Sequence, residues 1–268
     1  MSNNKIGVAV TTYNRPDYFK NCIDSIPAVD TIVVVNDGTP YSKDVYPSKV
    51  KEVVQHDRNL GIACAKNSAM RTLMQDGCDW LFVIEDDVFI KDPTVFEKYI
   101  NAANKSGIYH MNFGFSNMYN FNNKGEMVIR ETIEYAPNTS VIFTYNVVAG
   151  FSMYLRGVIK HVGYMDERYT RFNNMEHVDH TMSIIQAGLH PPFWWFADID
   201  KSWESIGVIK ESFDNSTVRK DPSFKDKFQL ACQLFKHKWS KYPTDVPQTT
   251  KDDVLVSLER IKTNYARE

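Results

Sequence analysis

The 268-residue chain is short of several things, and each shortage closes a class of function. It has no apolar stretch of about 18 residues, so no transmembrane segment is expected. Its formal net charge is only -2, so no global charge field favours nucleic acid or a membrane surface. Its four cysteines, Cys22, Cys64, Cys78 and Cys232, lack zinc-ligand spacing. They read as buried or inert thiols of a reducing, cytoplasmic compartment. Residues 1–5 run straight into a strand-like segment without a signal-peptide pattern. No internal repeat or low-complexity tract is present. Glycine is sparse, 12 in all, and Thr12-Tyr13-Asn14-Arg15-Pro16, which follows the first strand-like run, has none. A glycine-rich phosphate loop of the kind a nucleotidyltransferase needs is therefore missing.

What the chain does have is an alternation of strand-like and helix-like segments. Residues 6–11, 31–35, 51–55 and 80–84 are β-branched or apolar runs of buried strands. Between them, Tyr18, Phe19, Cys22, Ile23 and Ile26, and later Ala65, Ala69, Leu73 and Met74, recur at helical spacing. Pro16 suits a first helical turn. The alternation predicts an α/β fold with a mostly parallel central sheet and flanking helices. In such sheets ligands bind outside the carboxyl ends of the strands. The polar residues gather there: Thr11 to Arg15 after the first run, Asn36 and Asp37 after the second, and Glu85, Asp86 and Asp87 after the fourth.

The acidic triplet is the most informative stretch. Three carboxylates interrupt an apolar run, and desolvating each costs several kcal/mol or shifts its pKa. Two readings fit the triplet alone: a solvated acidic turn, or a cleft in which the acids face a divalent cation completed by substrate phosphates.

Further along, 92–104 reads as a helix, and 108–115, 127–133, 141–145 and 148–155 as strands. The asparagine-rich stretch 116–126 reads as a long surface loop with few apolar anchors, of the kind that orders when substrate binds. A short helix is expected near 156–161, a longer one over 175–187 ended by Gly188, and a last strand over 193–197. The tail differs. Residues 219–241 carry seven Lys/Arg interleaved with Phe224, Phe228, Phe235 and Trp239. This is either a helix packed on the core or a contact surface for a polyanion or an anionic membrane. A final helix spans 252–266.

Taken in order, Thr11-Thr12-Tyr13-Asn14-Arg15-Pro16, Val35-Asn36-Asp37-Gly38, Asn59-Leu60-Gly61, Lys66-Asn67 and Glu85-Asp86-Asp87 resemble the nucleotide-sugar half of a GT-A glycosyltransferase of the large family-2 group. Gly163-Tyr164-Met165-Asp166-Glu167 and Glu176-His177-Val178-Asp179 resemble motifs of its second half. The resemblance covers roughly residues 5–200. It implies a GT-A domain over 1–208, with a nucleotide-sugar half at about 1–110 and an acceptor half at about 111–208, followed by a helical, basic extension over 209–268. It also implies a nucleotide-binding set of Thr11, Tyr13, Arg15, Asp37, Lys66 and Asp86. Within it Thr11 and Tyr13 cradle the base, Asp37 accepts a hydrogen bond from it, and Asp86 contacts the ribose. Asp87 is implied as the ligand of Mn2+ or Mg2+, with Glu85 where the family's first motif aspartate is usual. Glu176, His177 and Asp179 form the catalytic set. His177 stands where the family has its general-base aspartate, so the base and the stereochemical course, inverting or retaining, stay open.

The implied activity is transfer of a sugar from a nucleotide-sugar donor, a UDP-sugar, to a glycan hydroxyl. A phage-type enzyme acting on hydroxymethylated DNA, a nucleotidyltransferase and a silent sugar-nucleotide-binding module are the alternatives. The basic aromatic tail suits the DNA acceptor, because phosphate contacts supply much of the affinity for DNA.

Overall fold

The computed structural model describes residues 5–147, 149–209 and 216–265. The expected strand start at 148 and helix end at 266 lie outside them. A six-stranded sheet runs in the order β3-β2-β1-β4-β9-β6. These strands are β1 (Ile6–Thr12), β2 (Thr31–Asn36), β3 (Glu52–Gln55), β4 (Trp80–Glu85), β6 (His110–Asn112) and β9 (Phe151–Leu155). The first four pair in parallel, as the alternating pattern predicts. β9 is antiparallel to both β4 and β6, so the sheet is mixed. Sequence order hides this, because β9 is inserted between two earlier strands.

Three helices cover this sheet's faces in the first half of the chain. α1 (Pro16–Ser25) starts on Pro16 and buries Phe19, Cys22 and Ile23. α2 (Ile62–Gln75) lays Ala65, Ala69, Met70 and Leu73 on the opposite face. α3 (Val95–Ser106) joins the α1 side, with Phe96 against Phe82 and Phe151. The main core includes Val8, Val10, Phe82, Phe96, Tyr99 and Phe151. Small alanines let α2 approach the sheet closely.

Two small sheets flank the large one. β7 (Glu131–Ala136), β8 (Thr139–Thr144) and β10 (Phe196–Ile199) form an antiparallel sheet in the order β10-β8-β7. β5 (Val88–Ile90) pairs with β11 (Ile206–Val208). Just beyond, the Ile209 N–H donates to the Asp87 carbonyl at 2.8 Å, which returns the chain to the end of β4. The expected last strand is displaced to β10 and followed by β11, because Trp194 adopts a left-handed backbone (φ 75°) that breaks the apolar run. α4 (Arg156–Val162) and α5 (Glu176–Gln186) are as expected within a residue or two, and a single turn, α6 (Ser202–Ser205), leads into β11.

The 116–126 loop departs from expectation. Asparagines anchor it in place of apolar side chains. Asn120 is fully buried, and its amide donates to the carbonyls of Gly114 and Asn146, each at 3.0 Å. Asn117 donates to Val147 O at 3.1 Å. Buried amides with all their hydrogen bonds made rigidify a loop as effectively as a small apolar cluster.

The tail packs on the rest of the chain. α7 (Phe224–Trp239) buries Ala231 and Phe235 beside Phe193 and Phe196. α8 (Lys251–Tyr265) inserts Val254, Leu258 and Ile261 into the main core.

Three histidines, His110, His180 and His190, are buried around Tyr154 and Phe196. His180 Nδ1 and His190 Nε2 have no hydrogen-bond partner among the described residues. Burial pushes both rings down to about 4, against the carbonyls that each one faces. A folded pKa below the ordinary imidazole value favours the neutral ring in the native state. Stability from these groups is therefore complete above about pH 6.5 and is lost as pH falls towards 4. The melting temperature should decline across that window, and a midpoint unchanged down to pH 4 would contradict this reading.

Candidate active site

Strand register builds the site. Thr12 sits opposite Asn36 across β1 and β2, and Thr11 opposite Glu85 across β1 and β4. Three strand ends therefore stop level with one another. The strand order reverses between β1 and β4, because the crossover through α1 goes one way and the one through α2 the other. An open cavity of about 370 Å3 lies at this switch point. Its walls include Thr11, Thr12, Tyr13, Arg15, Asp37, Glu85, Asp86 and Asp87. Of the expected nucleotide and metal set, only Lys66 is not on the wall.

Asp37 is 4% exposed and saturated with donors. It accepts from the Leu60 and Gly61 N–H groups at 2.8 and 2.7 Å and pairs with His56 Nδ1 at 2.6 Å. It thereby shapes the Asn59-Leu60-Gly61 turn that forms the cavity edge. Gly61 is required there: its φ is 85°, and a Cβ would come within 2.7 Å of Thr170 Cγ2. Asp37→Ala should weaken nucleotide binding at least 10-fold and destabilise the fold by about 1–3 kcal/mol, since two buried N–H groups lose their acceptor. Choice of sugar should not change. Calorimetry with UDP and urea denaturation check this, and an unaltered affinity would count against the assignment.

Asp86 is fully buried. It accepts from Thr12 Oγ1 at 2.7 Å and is salt-bridged to Arg15 Nη2. Burial pushes its carboxyl up to about 7, against the pull of Arg15 and Thr12. Arg15 is fixed from behind, because its N–H donates to Tyr41 Oη at 2.9 Å. Tyr41, which also meets Thr12 Oγ1, was not singled out from the sequence and lies in an irregular segment that carries no motif.

Asp87 is more exposed than Asp86, though less so than Glu85. Its side chain is 19% exposed, and Arg15 Nη1 stands off at 3.6 Å. Glu85 faces elsewhere: its Oε1 takes Lys66 Nζ at 2.7 Å. Among the described residues no group of three or more His, Cys, Asp or Glu could enclose a metal. The residues fit an open cation site at most, in which Asp87 would supply the protein oxygen. Magnesium-like cations are commonly held in this way.

Lys66 is buried from α2 between two acids. Besides Glu85 it faces Glu176 Oε1 at 3.7 Å and donates to Ala149 O at 3.1 Å. Burial lowers an ammonium, but the two carboxylates outweigh it and raise Lys66 from its ordinary value. Lys66 thus joins the acidic strand end to α5. The backbone before α5 is strained, with Asn173 and Met175 both left-handed at φ 49° and 70°. Such conformations in non-glycine residues cluster where geometry is functionally constrained.

The catalytic set divides. Glu176 is 2% exposed and bonded to His177 Nδ1 at 3.1 Å. Burial raises a carboxyl, yet His177 and Lys66 together hold this one down at about 2. Asp179 is held by the tail: Lys238 Nζ and Trp239 Nε1 each donate to it at 2.7 Å, and Tyr169 Oη at 3.3 Å. Burial still raises it overall.

The tail also forms cavity wall. Ser216, Thr217, Val218, Asp221, Phe224 and Lys227 line it, with Lys227 bonded to Asp221 at 2.5 Å. No motif pointed to these residues. Their only sequence signal was the mixture of basic and aromatic residues.

A switch-point cavity carrying acids at the end of β4, beside a second-half helix bearing Glu176, defines a GT-A glycosyltransferase. The glycosyl transferase family 2 model matches residues 7–163, and the chain belongs to that family. It is a transferase that draws on a nucleotide sugar. A glycosyltransferase of Acanthamoeba polyphaga mimivirus, R363, itself uncharacterised, is 25% identical over 250 residues, 87% of this chain and 91% of that one. Among solved structures, S. aureus TarS superposes with a TM-score of 0.51 at 18% identity, over 90% of this chain and 44% of TarS. GalNAc-T7, solved with UDP, GalNAc and Mn2+, gives 0.50 at 11% identity, over 70% of this chain and 42% of that one. This chain spans less than half the length of either, and the likeness to both is one of fold.

Proposed function

We propose that the protein transfers a sugar from a UDP-sugar to a hydroxyl of a glycan acceptor, with Mn2+ or Mg2+ held at Asp87. The observation that carries the reading is the convergence of Thr11, Tyr13, Asp37, Asp86 and Asp87 on one cavity at the strand ends. Thr11 and Tyr13 would flank the base and Asp86 the ribose. A bound cation would neutralise charge developing on the diphosphate leaving group. The protein's part is to position: Arg15 fixes Asp86 beside Asp87, and Asp37 shapes the turn at the opposite rim. The chain would comprise a donor half to about 110, an acceptor half to about 208, and an extension that closes one side of the cavity. A cytoplasmic location accords with four free thiols. No helix among the described residues is long and apolar enough to cross a membrane.

A polyanion or hydroxymethylated-DNA acceptor draws less support. Lys227 and Lys238 are engaged in ion pairs, Phe235 is buried, and Lys236 lies 4.5 Å from the centre of the Tyr242 ring. Part of the basic aromatic stretch is used in packing, through Ala231 and Phe235, while Phe228 stays exposed. The test is a product assay with UDP-sugars and Mn2+. Release of UDP with a glycosylated acceptor supports the reading. Release of pyrophosphate would instead indicate nucleotidyl transfer, and binding without turnover a silent module.

A further inference from the structure

The Tyr41 hydroxyl sits between the end of β1 and the start of α1. It accepts the Arg15 N–H at 2.9 Å and meets Thr12 Oγ1 at 2.8 Å. Thr12 Oγ1 in turn donates to Asp86 Oδ2 at 2.7 Å. Proton count fixes the direction of this chain. A threonine hydroxyl has one proton, and the Asp86 carboxylate, salt-bridged to Arg15, takes it. Thr12 therefore accepts from Tyr41, and the phenol donates. Burial raises Tyr41 from its ordinary value, which keeps that proton in place. The donors all point one way, from the Arg15 N–H through Tyr41 and Thr12 to Asp86. Hydrogen bonds aligned in series polarise and strengthen one another.

The ring that carries the hydroxyl is itself held. It packs on Phe19 and Tyr46, with centroids 5.6 and 6.3 Å away. The Thr39 N–H donates to Asn14 Oδ1 at 2.8 Å, and Asn36 Nδ2 donates to Thr39 O at 2.9 Å. These bonds tie the segment after β2 to both strand ends. Thr12 and Asp86 line the cavity, and Tyr41 stands behind them. Any effect of Tyr41 on a ligand therefore passes through Thr12, Arg15 and Asp86.

We propose that Tyr41 is a positioning residue for the donor: through Thr12 it aims the Asp86 carboxylate at the ribose of a nucleoside diphosphate, and so sets the preference for a ribonucleotide over its deoxy analogue. The inference rests on the nucleotide-sugar reading above, with Asp86 as the ribose contact. Thr12 and Arg15 each occupy one Asp86 oxygen, and each oxygen keeps a further lone pair for a ribose hydroxyl. Without the Tyr41 hydroxyl, Thr12 loses its donor and the Arg15 N–H its acceptor. The carboxylate keeps its charge but loses its fixed direction. A ligand lacking the ribose hydroxyl makes no use of that direction.

The test uses Tyr41→Phe, which keeps the ring and removes one oxygen. Calorimetry with Mn2+ present compares UDP with its two deoxyribose analogues, each lacking one ribose hydroxyl, and the melting temperature reports the fold. Wild type should bind UDP at least about 10-fold more tightly than one of the analogues, the effect of one charge-assisted hydrogen bond. In Tyr41→Phe that ratio should fall to about 3-fold or less through weaker UDP binding, with affinity for that analogue unchanged. Thr12→Val breaks the same chain one link on. It should flatten the ratio too, and the double variant should add nothing further. Where Tyr41→Phe does not fold, Thr12→Val carries the test. A variant that keeps the wild-type ratio overturns the inference. Equal losses for UDP and analogue, the mark of a merely structural role, overturn it as well, as does a wild type that does not discriminate. All three leave the nucleotide-sugar reading standing. A wild-type protein that binds no UDP overturns both.

Discussion

Asp87→Ala should abolish sugar transfer and remove the Mn2+-dependent part of donor binding. Asp87 lines the cavity with a partly exposed carboxylate 3.6 Å from Arg15, whereas Asp86 is enclosed by Thr12 and Arg15 and Glu85 takes Lys66. Removing it takes away the protein ligand proposed for a cation that would neutralise charge on the diphosphate. Losing such a stabiliser of leaving-group charge costs roughly 10²–10³ in rate. It also leaves Arg15 without one of its two carboxylate neighbours, an effect that Asp87→Asn shares. If transfer persists at the wild-type rate in Asp87→Ala with metal chelated, the cation does not reside there.

The largest effect on stability is expected from Lys66→Met. Lys66 is 1% exposed and compensates both Glu85 and Glu176, the latter also buried. Removing one member of a buried charge cluster costs about 3–5 kcal/mol, because the charge left behind stays desolvated. Urea denaturation should show that loss. A second change, Glu176→Gln, should restore much of it, since the orphaned charge then disappears. Additive losses in the double variant would mean that Lys66 and Glu176 do not interact in solution.

The first half of the fold was legible because its signals are local. β-branched runs marked β1, β2 and β4, and a parallel register then brings their polar ends level without further information. The acidic triplet was noticed because charge interrupts apolarity, but sequence spacing could not divide its members. All three line the cavity, and only the fold pairs Glu85 with Lys66 of α2 and buries Asp86. Lys66 is a similar case. Its place on a helix was clear, but its position between two acids depends on α5, which arrives 110 residues later. Asp179 was grouped with Glu176 through the family resemblance, yet α7 brings Lys238 and Trp239 onto it from further along the chain. The tail's share of the cavity wall had only a basic and aromatic composition as its signal, because β11 and the Ile209–Asp87 hydrogen bond carry the chain back to the site.

The central claim is that the switch-point cavity binds a nucleoside diphosphate with the help of a cation at Asp87. Isothermal titration of the intact protein with UDP, with and without Mn2+, tests it most directly. Saturable binding at one site that tightens at least 10-fold with Mn2+ in wild type, but not in Asp87→Ala, is the predicted result. Equal UDP affinity with and without the metal, or no binding to the wild-type protein, would contradict it.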